Sequence, residues 1–180
     1  MFSTGYLIDT NILSKMGAIK HPELKDDVRV KCVEKKWNEV KDSGQIFICT
    51  PVIGEVEYGI RIAPKKDVVA AEMIRQIIRA FPMVLDIDEP VARACYADLK
   101  ARLFTKFAPK KANGKGKSKY IEDWVDGTTG KSLGVTENDV WIAAVAICHN
   151  LTLVTNDGMR HIADVAGDAL VIEDWSASSF

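Results

Sequence analysis

Short runs of apolar residues recur along the chain, separated by longer stretches in which apolar residues have helical spacing. An unbroken apolar run is typical of a strand that is covered on both faces, as in a parallel sheet. Five such strands are predicted, at Tyr6–Ile8, Gln45–Cys49, Met83–Ile87, Leu151–Thr155 and Ala169–Ile172.

The stretches between these runs place apolar residues three and four positions apart, as a helix buried on one face does. One such pattern runs from Val30 to Val40, and Gly44 follows it in the place of a helix C-cap residue. Thr50 and Pro51 have the composition of a helix start. Further helices are predicted over Asp67–Phe81, Pro90–Phe104 and Asn138–His149. The alternation of strands and helices predicts an α/β fold, a three-layer α/β/α domain with a central, mainly parallel five-stranded sheet.

One segment interrupts this alternation. Residues 105–119, "TKFAPKKANGKGKSK", carry six lysines, two glycines and no acid, and they are predicted to form a mobile, exposed loop. The next residues, "YIEDWVDGTTGKSLG", are rich in turn formers, with Trp124 as an apolar anchor. We interpret residues 1–180 as a single domain with a lysine-rich insertion at about 105–130.

Composition narrows the class of protein only slightly. The chain is 47% hydrophobic and 27% charged, with a net charge of −1, so an acidic partner would have to meet a local patch of positive charge. Its four cysteines are scattered without a Cys-x-x-Cys pair, which favours free thiols in a reducing cytosol. No apolar run approaches the roughly 20 residues of a membrane span. The sequence therefore predicts a cytoplasmic protein with no membrane association.

Two acidic residues follow predicted strands. Asp9 ends the first apolar run in "GYLIDTN", and Asp157 comes just after the fourth in "LTLVTND". The carboxyl ends of parallel strands are where open α/β sheets bind their ligands. Asp9 fits the N-cap of a following helix equally well, and Asp157 fits an ordinary turn. Taken singly, neither acid distinguishes a functional role from a structural one.

Two predicted helix starts carry further acids. In "TPVIGEVEYG", Glu55 and Glu57 flank the apolar stripe on opposite sides, so spacing alone does not choose between them. Gly59 lies one turn beyond Glu55 and leaves room above that carboxylate, which favours Glu55 weakly. In "TENDVWIAAVA", Thr136 and Asp139 fit a capping box, a purely structural role that spacing alone favours.

Together these acids indicate a metal site. The carboxyl ends of parallel strands share one edge of the sheet, so four carboxylates could converge there. Clustered carboxylates repel one another unless a cation neutralises them, and oxygen ligands without His or Cys suit Mg²⁺ or Mn²⁺. Such a centre commonly serves phosphate chemistry, because the ion polarises a phosphoryl oxygen and activates water.

Four motifs, "LIDTNIL", "TPVIGEVEYGI", "ENDVWIAAVA" and "LTLVTND", occur in this order over nearly the whole chain. In this respect the sequence resembles the PIN-domain ribonucleases, and in particular the toxins of VapC-type toxin–antitoxin modules. The resemblance implies that the catalytic, metal-binding acids are Asp9, Glu55, Asp139 and Asp157, which selects Glu55 over Glu57. It also implies supporting roles for Thr10, Asn11, Glu137, Thr155 and Asn156.

The same resemblance implies a divalent-metal-dependent endoribonuclease that uses Mg²⁺ or Mn²⁺ and hydrolyses RNA phosphodiester bonds. A cognate antitoxin protein and a homodimer are the expected partners. The lysine-rich insertion departs from compact members of this family. Its lysines are either candidate RNA contacts or part of a solvated loop, and they are Lys106, Lys110, Lys111, Lys115, Lys117 and Lys119.

Two alternatives remain open at this point. A PIN-like module that binds RNA or protein without cutting it would be favoured by the loss of one of the four acids, and all four are present. A haloacid-dehalogenase-like phosphatase would need a second aspartate two residues after Asp9, where this chain has Asn11. That difference makes the phosphatase the weaker alternative.

Overall fold

Five short parallel strands form the centre of the computed structural model, which describes residues 5–19, 21, 23–43, 45–63, 68–110 and 116–177. The strand order is β3-β2-β1-β4-β5. The strands are β1 (Tyr6–Ile8), β2 (Ile46–Cys49), β3 (Val84–Leu85), β4 (Thr152–Val154) and β5 (Val171–Glu173). All five predicted strands are confirmed, although all but β1 are shorter than the apolar runs, and each strand pair is parallel.

The first strand lies in the middle of the sheet. Leu7 is paired with Phe47 of β2 on one side and with Leu153 of β4 on the other. Leu7, Ile8 and Leu153 are completely buried, as expected for a strand with helices on both faces. The residue after β1 therefore lies at the centre of the carboxyl edge of the sheet.

Helices connect successive strands and cover the sheet. They are α1 (Thr10–Ala18), α2 (Val28–Val40), α3 (Thr50–Ile62), α4 (Val68–Arg79), α5 (Ala97–Phe107), α6 (Glu137–Cys148) and α7 (Arg160–Ala166). A π-helical segment, Val91–Tyr96, leads directly into α5, so the helix predicted at Pro90–Phe104 consists of two parts. The arrangement agrees with the predicted three-layer α/β/α architecture. Within the described ranges, no helix is long and apolar enough to cross a membrane.

The most deeply buried helix is α6. Its side chains from Val140 to Ala146 are almost entirely buried, apart from Trp141, which is partly covered. Because both sides of this helix are packed, its amino-terminal turn is held in a fixed position beside the sheet edge. The predicted capping box fixes that turn further, since Thr136 and Asp139 exchange hydrogen bonds.

The insertion is anchored at both ends, which corrects the prediction that residues 105–119 form an exposed loop. Its first residues belong to α5, and Phe107 and Ala108 are buried. Lys110 and Lys117 pair in an antiparallel bridge, and Ser118 is buried. Residues 111–115, which include Lys111 and Lys115, lie outside the described residues, as does the predicted cap Gly44.

The second half of the insertion is a small hairpin held by Trp124. The Trp124 side chain is buried, and its Nε1 donates a hydrogen bond to the Ser118 carbonyl oxygen at 3.0 Å. Val125 and Ser132 form an antiparallel bridge just beyond it. The insertion therefore adds a packed element to the domain, in contrast to a loosely attached tail.

Candidate functional site

Asp9 is buried at the carboxyl end of the central strand, with 4% of its surface exposed. One carboxylate oxygen accepts a hydrogen bond from the Thr10 backbone N–H at 2.6 Å, so Asp9 does cap α1. The other oxygen accepts from Asn11 Nδ2 at 2.9 Å and from Thr155 Oγ1 at 2.8 Å. The structural and functional interpretations of Asp9 are therefore compatible.

The predicted supporting residues that follow β1 and β4 form a polar network around Asp9. Asn11 donates to Thr155 Oγ1 at 2.9 Å, and its own side-chain oxygen accepts from the Asn156 backbone N–H at 3.2 Å. Thr10 donates a hydrogen bond through its hydroxyl to Glu55. These contacts join three separate segments of the chain and fix the direction of the Asp9 carboxylate.

Glu55 and Glu57 have different surroundings. Glu55 accepts hydrogen bonds from Thr10 and from Asn138 Nδ2, the latter at 2.9 Å, so it belongs to the sheet edge. Glu57 accepts a two-pronged ion pair from Arg75 of α4, at 2.6 and 2.9 Å, and contacts Arg61 at 3.3 Å. The hydrogen bonds from Arg75 lower the pKa of Glu57. The fold thus brings Glu55 to the edge and ties Glu57 to a neighbouring helix.

Asp139 caps α6 and also lies near other predicted site acids. Its Oδ2 accepts hydrogen bonds from the Thr136 backbone N–H at 2.7 Å and from the Thr136 hydroxyl at 2.9 Å. Burial raises the pKa of Asp139, the contacts with Thr136 lower it, and the negative charges of Asp157 and Glu55 raise it again. The capping role is therefore real, and the same carboxylate lies within electrostatic reach of two other predicted site acids.

Asp157 is the most exposed of the predicted acids. Its Oδ1 accepts a hydrogen bond from the Met159 backbone N–H at 2.9 Å and lies 3.3 Å from Thr155 Oγ1. Thr155 thus stands between Asp9 and Asp157. The short turn that carries Asp157 matches the structural interpretation considered for it, and this turn lies beside Asp9.

The predicted supporting residue Glu137 faces away from this group. Its carboxylate pairs with Lys100 Nζ of α5 at 2.6 and 2.8 Å and accepts a hydrogen bond from the Tyr96 hydroxyl. Burial raises the pKa of Glu137. This residue connects α6 to the helix beside it, and any effect on the site acids passes through the first turn of α6.

The predicted site acids lie close enough for their negative charges to raise the pKa values of Asp9 and Asp139. Burial raises the pKa of Asp9 to about 6, hydrogen bonds from Thr155 and Thr10 oppose that rise, and the charges of Asp157 and Asp139 add to it. Across the described part of the chain, no three His, Cys, Asp or Glu side chains form a group arranged to hold a metal ion. Each carboxylate is instead held by the neutral donors described above. A desolvated carboxylate repelled by two others, with oxygen as the donor atom throughout, has the chemistry that a divalent cation requires.

The insertion lysines that the structure describes fall into two pairs. Lys106 pairs with Asp164 of α7, and Lys117 Nζ donates to the Thr105 carbonyl oxygen at 2.7 Å. Lys110 and Lys119 are exposed, and neither forms a hydrogen bond or ion pair through its side chain with another described residue. The first pair supports the fold, whereas the second pair is available to a ligand.

Sequence reasoning missed three features. Asn138 orients Glu55, and it lies between Glu137 and Asp139 in a motif that was interpreted through its acids alone. Arg75, which holds Glu57, lies on a separate helix with no motif of its own. His161 is nearly buried, and its Nε2 lies 3.7 Å from the Asp126 carboxylate. Asp126 also accepts a hydrogen bond from Arg160 at 3.0 Å, so these contacts fasten the hairpin to α7. Only the Asn138 contact had a signal in the sequence, because a polar side chain at the start of a helix points to the same edge.

A family model described as PIN domain matches residues 6–167 of the chain. The match spans most of the sequence, and the protein belongs to the PIN-domain family. Among curated proteins, none matches the chain.

Solved structures with the same fold include VapBC2 from Rickettsia felis bound to a DNA fragment from its promoter (TM-score 0.61, 22% identity, 94% of this chain and 98% of that one). DNA-bound VapBC from Salmonella typhimurium is also similar (TM-score 0.64, 19% identity, 95% and 98%). FitAcB from Neisseria gonorrhoeae is a third (TM-score 0.59, 21% identity, 94% and 97%). At these identities the likeness establishes the fold, including the parallel sheet whose edge carries the acids.

Proposed function

We propose that this protein is a divalent-metal-dependent endoribonuclease and the toxin component of a VapC-type toxin–antitoxin module. The observation that carries the proposal is the environment of Asp9 at one edge of a PIN-domain sheet. Its carboxylate is buried, and burial together with the negative charges of Asp157 and Asp139 raises its pKa. An arrangement that is costly without a cation is typical of a metal centre.

Asp9, Glu55, Asp139 and Asp157 would hold Mg²⁺ or Mn²⁺. When bound, the ion supplies Lewis-acid polarisation of an RNA phosphodiester and lowers the pKa of water. The protein's own groups prepare the acids for this role. Neutral donors hold the acids in place at the sheet edge, and these donors are Thr10, Asn11, Thr136, Asn138 and Thr155.

Partners follow from the same family. The VapBC and FitAcB structures with this fold support an antitoxin partner. We propose a cytoplasmic location for the pair. A homodimer is supported by large apolar side chains that α3 and α4 leave exposed, since such side chains are typical of protein interfaces. These are Tyr58, Ile62, Val68 and Val69. Light scattering of the purified chain would measure the dimer directly.

The function is tested by sequencing cellular RNA 5′ ends after brief induction of the protein and of Asp9→Asn. We expect the wild type to produce new 5′ ends at a limited set of positions and to arrest growth, whereas Asp9→Asn should produce neither effect. New ends that are equally frequent with both proteins would assign the cleavage to another nuclease. Retained RNA binding without cleavage by the wild type would favour the non-cutting PIN-like module instead.

The lysine-rich insertion gives a separate prediction about affinity. We expect the slope of log affinity against log salt to become less steep by roughly two units when all six insertion lysines are replaced by glutamine. These are Lys106, Lys110, Lys111, Lys115, Lys117 and Lys119. Each lost phosphate contact changes this slope by about 0.7 for a single strand, and a lysine loop of this kind engages only some of its charges at once. The measurement is RNA binding by the Asp9→Asn protein over a salt series. Replacing Lys31, Lys35 and Lys36 of α2 is the control, and an unchanged slope in the six-lysine variant would make the insertion a solvated surface.

A further inference from the structure

An open surface cavity of about 480 Å³ lies between α5 and the insertion. Its volume falls within the range of small-ligand sites. Three aromatic and two cationic side chains contribute to its wall, and they are Tyr96, Phe104, Trp124, Lys100 and Lys119. Lys119 and Trp124 come from the insertion, so the cavity exists because the insertion is packed against α5. We call this cavity the α5 pocket.

Tyr96 is a firmly held aromatic side chain in the wall of the α5 pocket. Trp141 of α6 stacks on one face of the Tyr96 ring, with ring centroids 3.4 Å apart and an angle of 4° between the planes. Lys100 Nζ lies 2.8 Å from the Tyr96 hydroxyl oxygen and 5.3 Å from the ring centroid, which places it at the hydroxyl edge of the ring. The stacked pair holds the Tyr96 ring rigidly in the wall of the cavity.

The charges around the α5 pocket nearly balance. Lys100 is paired with Glu137, and the charge of Glu122 also acts on Lys100. Lys119 adds a positive charge that has no partner among the described side chains. A single free lysine makes a weak phosphate site. Binding here must therefore come mainly from the rigid aromatic wall, which favours a flat unpaired base over a phosphate group alone.

The α5 pocket is connected to the candidate site through the first turn of α6. Glu137, which bonds Lys100 and Tyr96, occupies the first turn of α6 two residues before Asp139. Residues two positions apart on a helix point to nearly opposite sides, so α6 separates the side of Glu137, which contacts the pocket residues Tyr96 and Lys100, from the Asp139 carboxylate by about one helix width, on the order of 10 Å. A single strand of RNA that crosses the acids can place a neighbouring nucleotide at this distance.

We propose that the α5 pocket binds one unpaired base of the RNA substrate, close to the cleaved phosphodiester, by stacking the base on Tyr96. The inference rests on the proposed ribonuclease function and adds a position at which the enzyme distinguishes a single strand from a duplex. Because the insertion helps to form the pocket, it contributes to substrate choice through the shape of this wall as well as through its lysines.

The test uses the Asp9→Asn protein and an RNA oligonucleotide containing a mapped wild-type cleavage site, with an abasic residue introduced at each position in turn. We expect one position near the cleavage site to weaken binding about 10-fold when abasic, since stacking of one base supplies an effect of that order. In Asp9→Asn/Tyr96→Leu the same abasic residue should change the affinity less than about two-fold. Tyr96→Phe keeps the ring, removes the hydroxyl contact with Glu137, and should retain the 10-fold penalty.

A second variant protects the test against misfolding of Tyr96→Leu. Ala97 is exposed and lines the α5 pocket, so Ala97→Leu fills the cavity from the surface and should also abolish the penalty. If no abasic position weakens binding while the wild type still cleaves RNA, base binding in the α5 pocket is refuted and the proposed function still stands. A penalty that survives both Tyr96→Leu and Ala97→Leu would place the base elsewhere and overturn the pocket too. A wild type that cleaves no RNA would overturn the proposed function, and the pocket with it.

Discussion

Asp9→Asn should raise the stability of the metal-free protein at pH 8 and abolish its response to Mg²⁺. The wild type holds a buried carboxylate whose pKa is raised from 3.8 to about 6. A shift of this size costs at most about 3 kcal/mol when the group is ionised. Asparagine removes that cost and still caps α1, but it loses an acceptor toward Asn11, so we expect a net gain of about 1–2 kcal/mol.

The pH dependence has a definite sign. The folded state binds the Asp9 proton more tightly than the unfolded state, so this residue makes the free energy of unfolding fall as the pH rises from about 4 to about 6. Below this window Asp9 is protonated in both states and the cost disappears. Asp9→Asn should therefore lack this part of the pH profile, as measured by urea unfolding at several pH values without metal.

Mg²⁺ should act in the opposite direction on the wild type. At 100 times its dissociation constant the ion adds about 2.7 kcal/mol, which corresponds to a rise in Tm of about 5–10 °C for a chain of this size. Calorimetry with and without Mg²⁺ measures this rise, and Asp168→Asn, which changes an exposed acid beyond α7, is the control. Equal Mg²⁺ responses in the wild type and Asp9→Asn would contradict a metal site that includes Asp9.

The second large effect separates Glu55 from Glu57. Glu55→Gln should reduce RNA cleavage by at least about 100-fold, because it removes one of the four proposed metal ligands from the sheet edge. Glu57→Gln should keep cleavage within about three-fold and lower the Tm, because it breaks the ion pair that joins α3 to Arg75. Initial rates on one RNA oligonucleotide at saturating Mg²⁺ give the comparison.

Arg75→Gln serves as the matched control for this pair. It breaks the same ion pair from the other side and should reproduce the loss of Tm without a loss of cleavage beyond that of Glu57→Gln. If Glu57→Gln and Glu55→Gln lost the same amount of activity while both remained folded, Glu57 would also have to reach the metal. That result would contradict the separation that the structure describes.

The fold was largely predictable from local sequence. Apolar runs located all five strands, and the pairing of Thr136 with Asp139 was predicted from spacing and is confirmed. Such features depend on residues within one turn or one strand of each other. The insertion was less predictable, since Trp124 and Ser118 meet only when the hairpin folds back, and composition alone made that segment look exposed.

The candidate site could be outlined from sequence but not completed. Parallel strands share one carboxyl edge, so the convergence of Asp9 with Asp157 followed from topology. The separation of Glu55 from Glu57 did not, because it depends on an arginine that lies 18 residues away on another helix. The contact of Asn138 with Glu55 spans 83 residues. Contacts of this kind are set by how whole helices pack, which no local pattern encodes.

The central position of β1 also determines when the site can exist during synthesis. Thr155, a hydrogen-bond partner of Asp9, leaves the ribosome 146 residues after it, and the Asp9 N–H pairs with the Val154 carbonyl oxygen at 3.0 Å. Until β4 emerges, β1 has β2 on one side and an unpaired edge on the other. The polar network around Asp9 therefore cannot form before β4 is made, and during that interval the nascent chain is vulnerable to aggregation at the open edge. Under the proposed nuclease function, this strand order delays cleavage until β4 has joined β1.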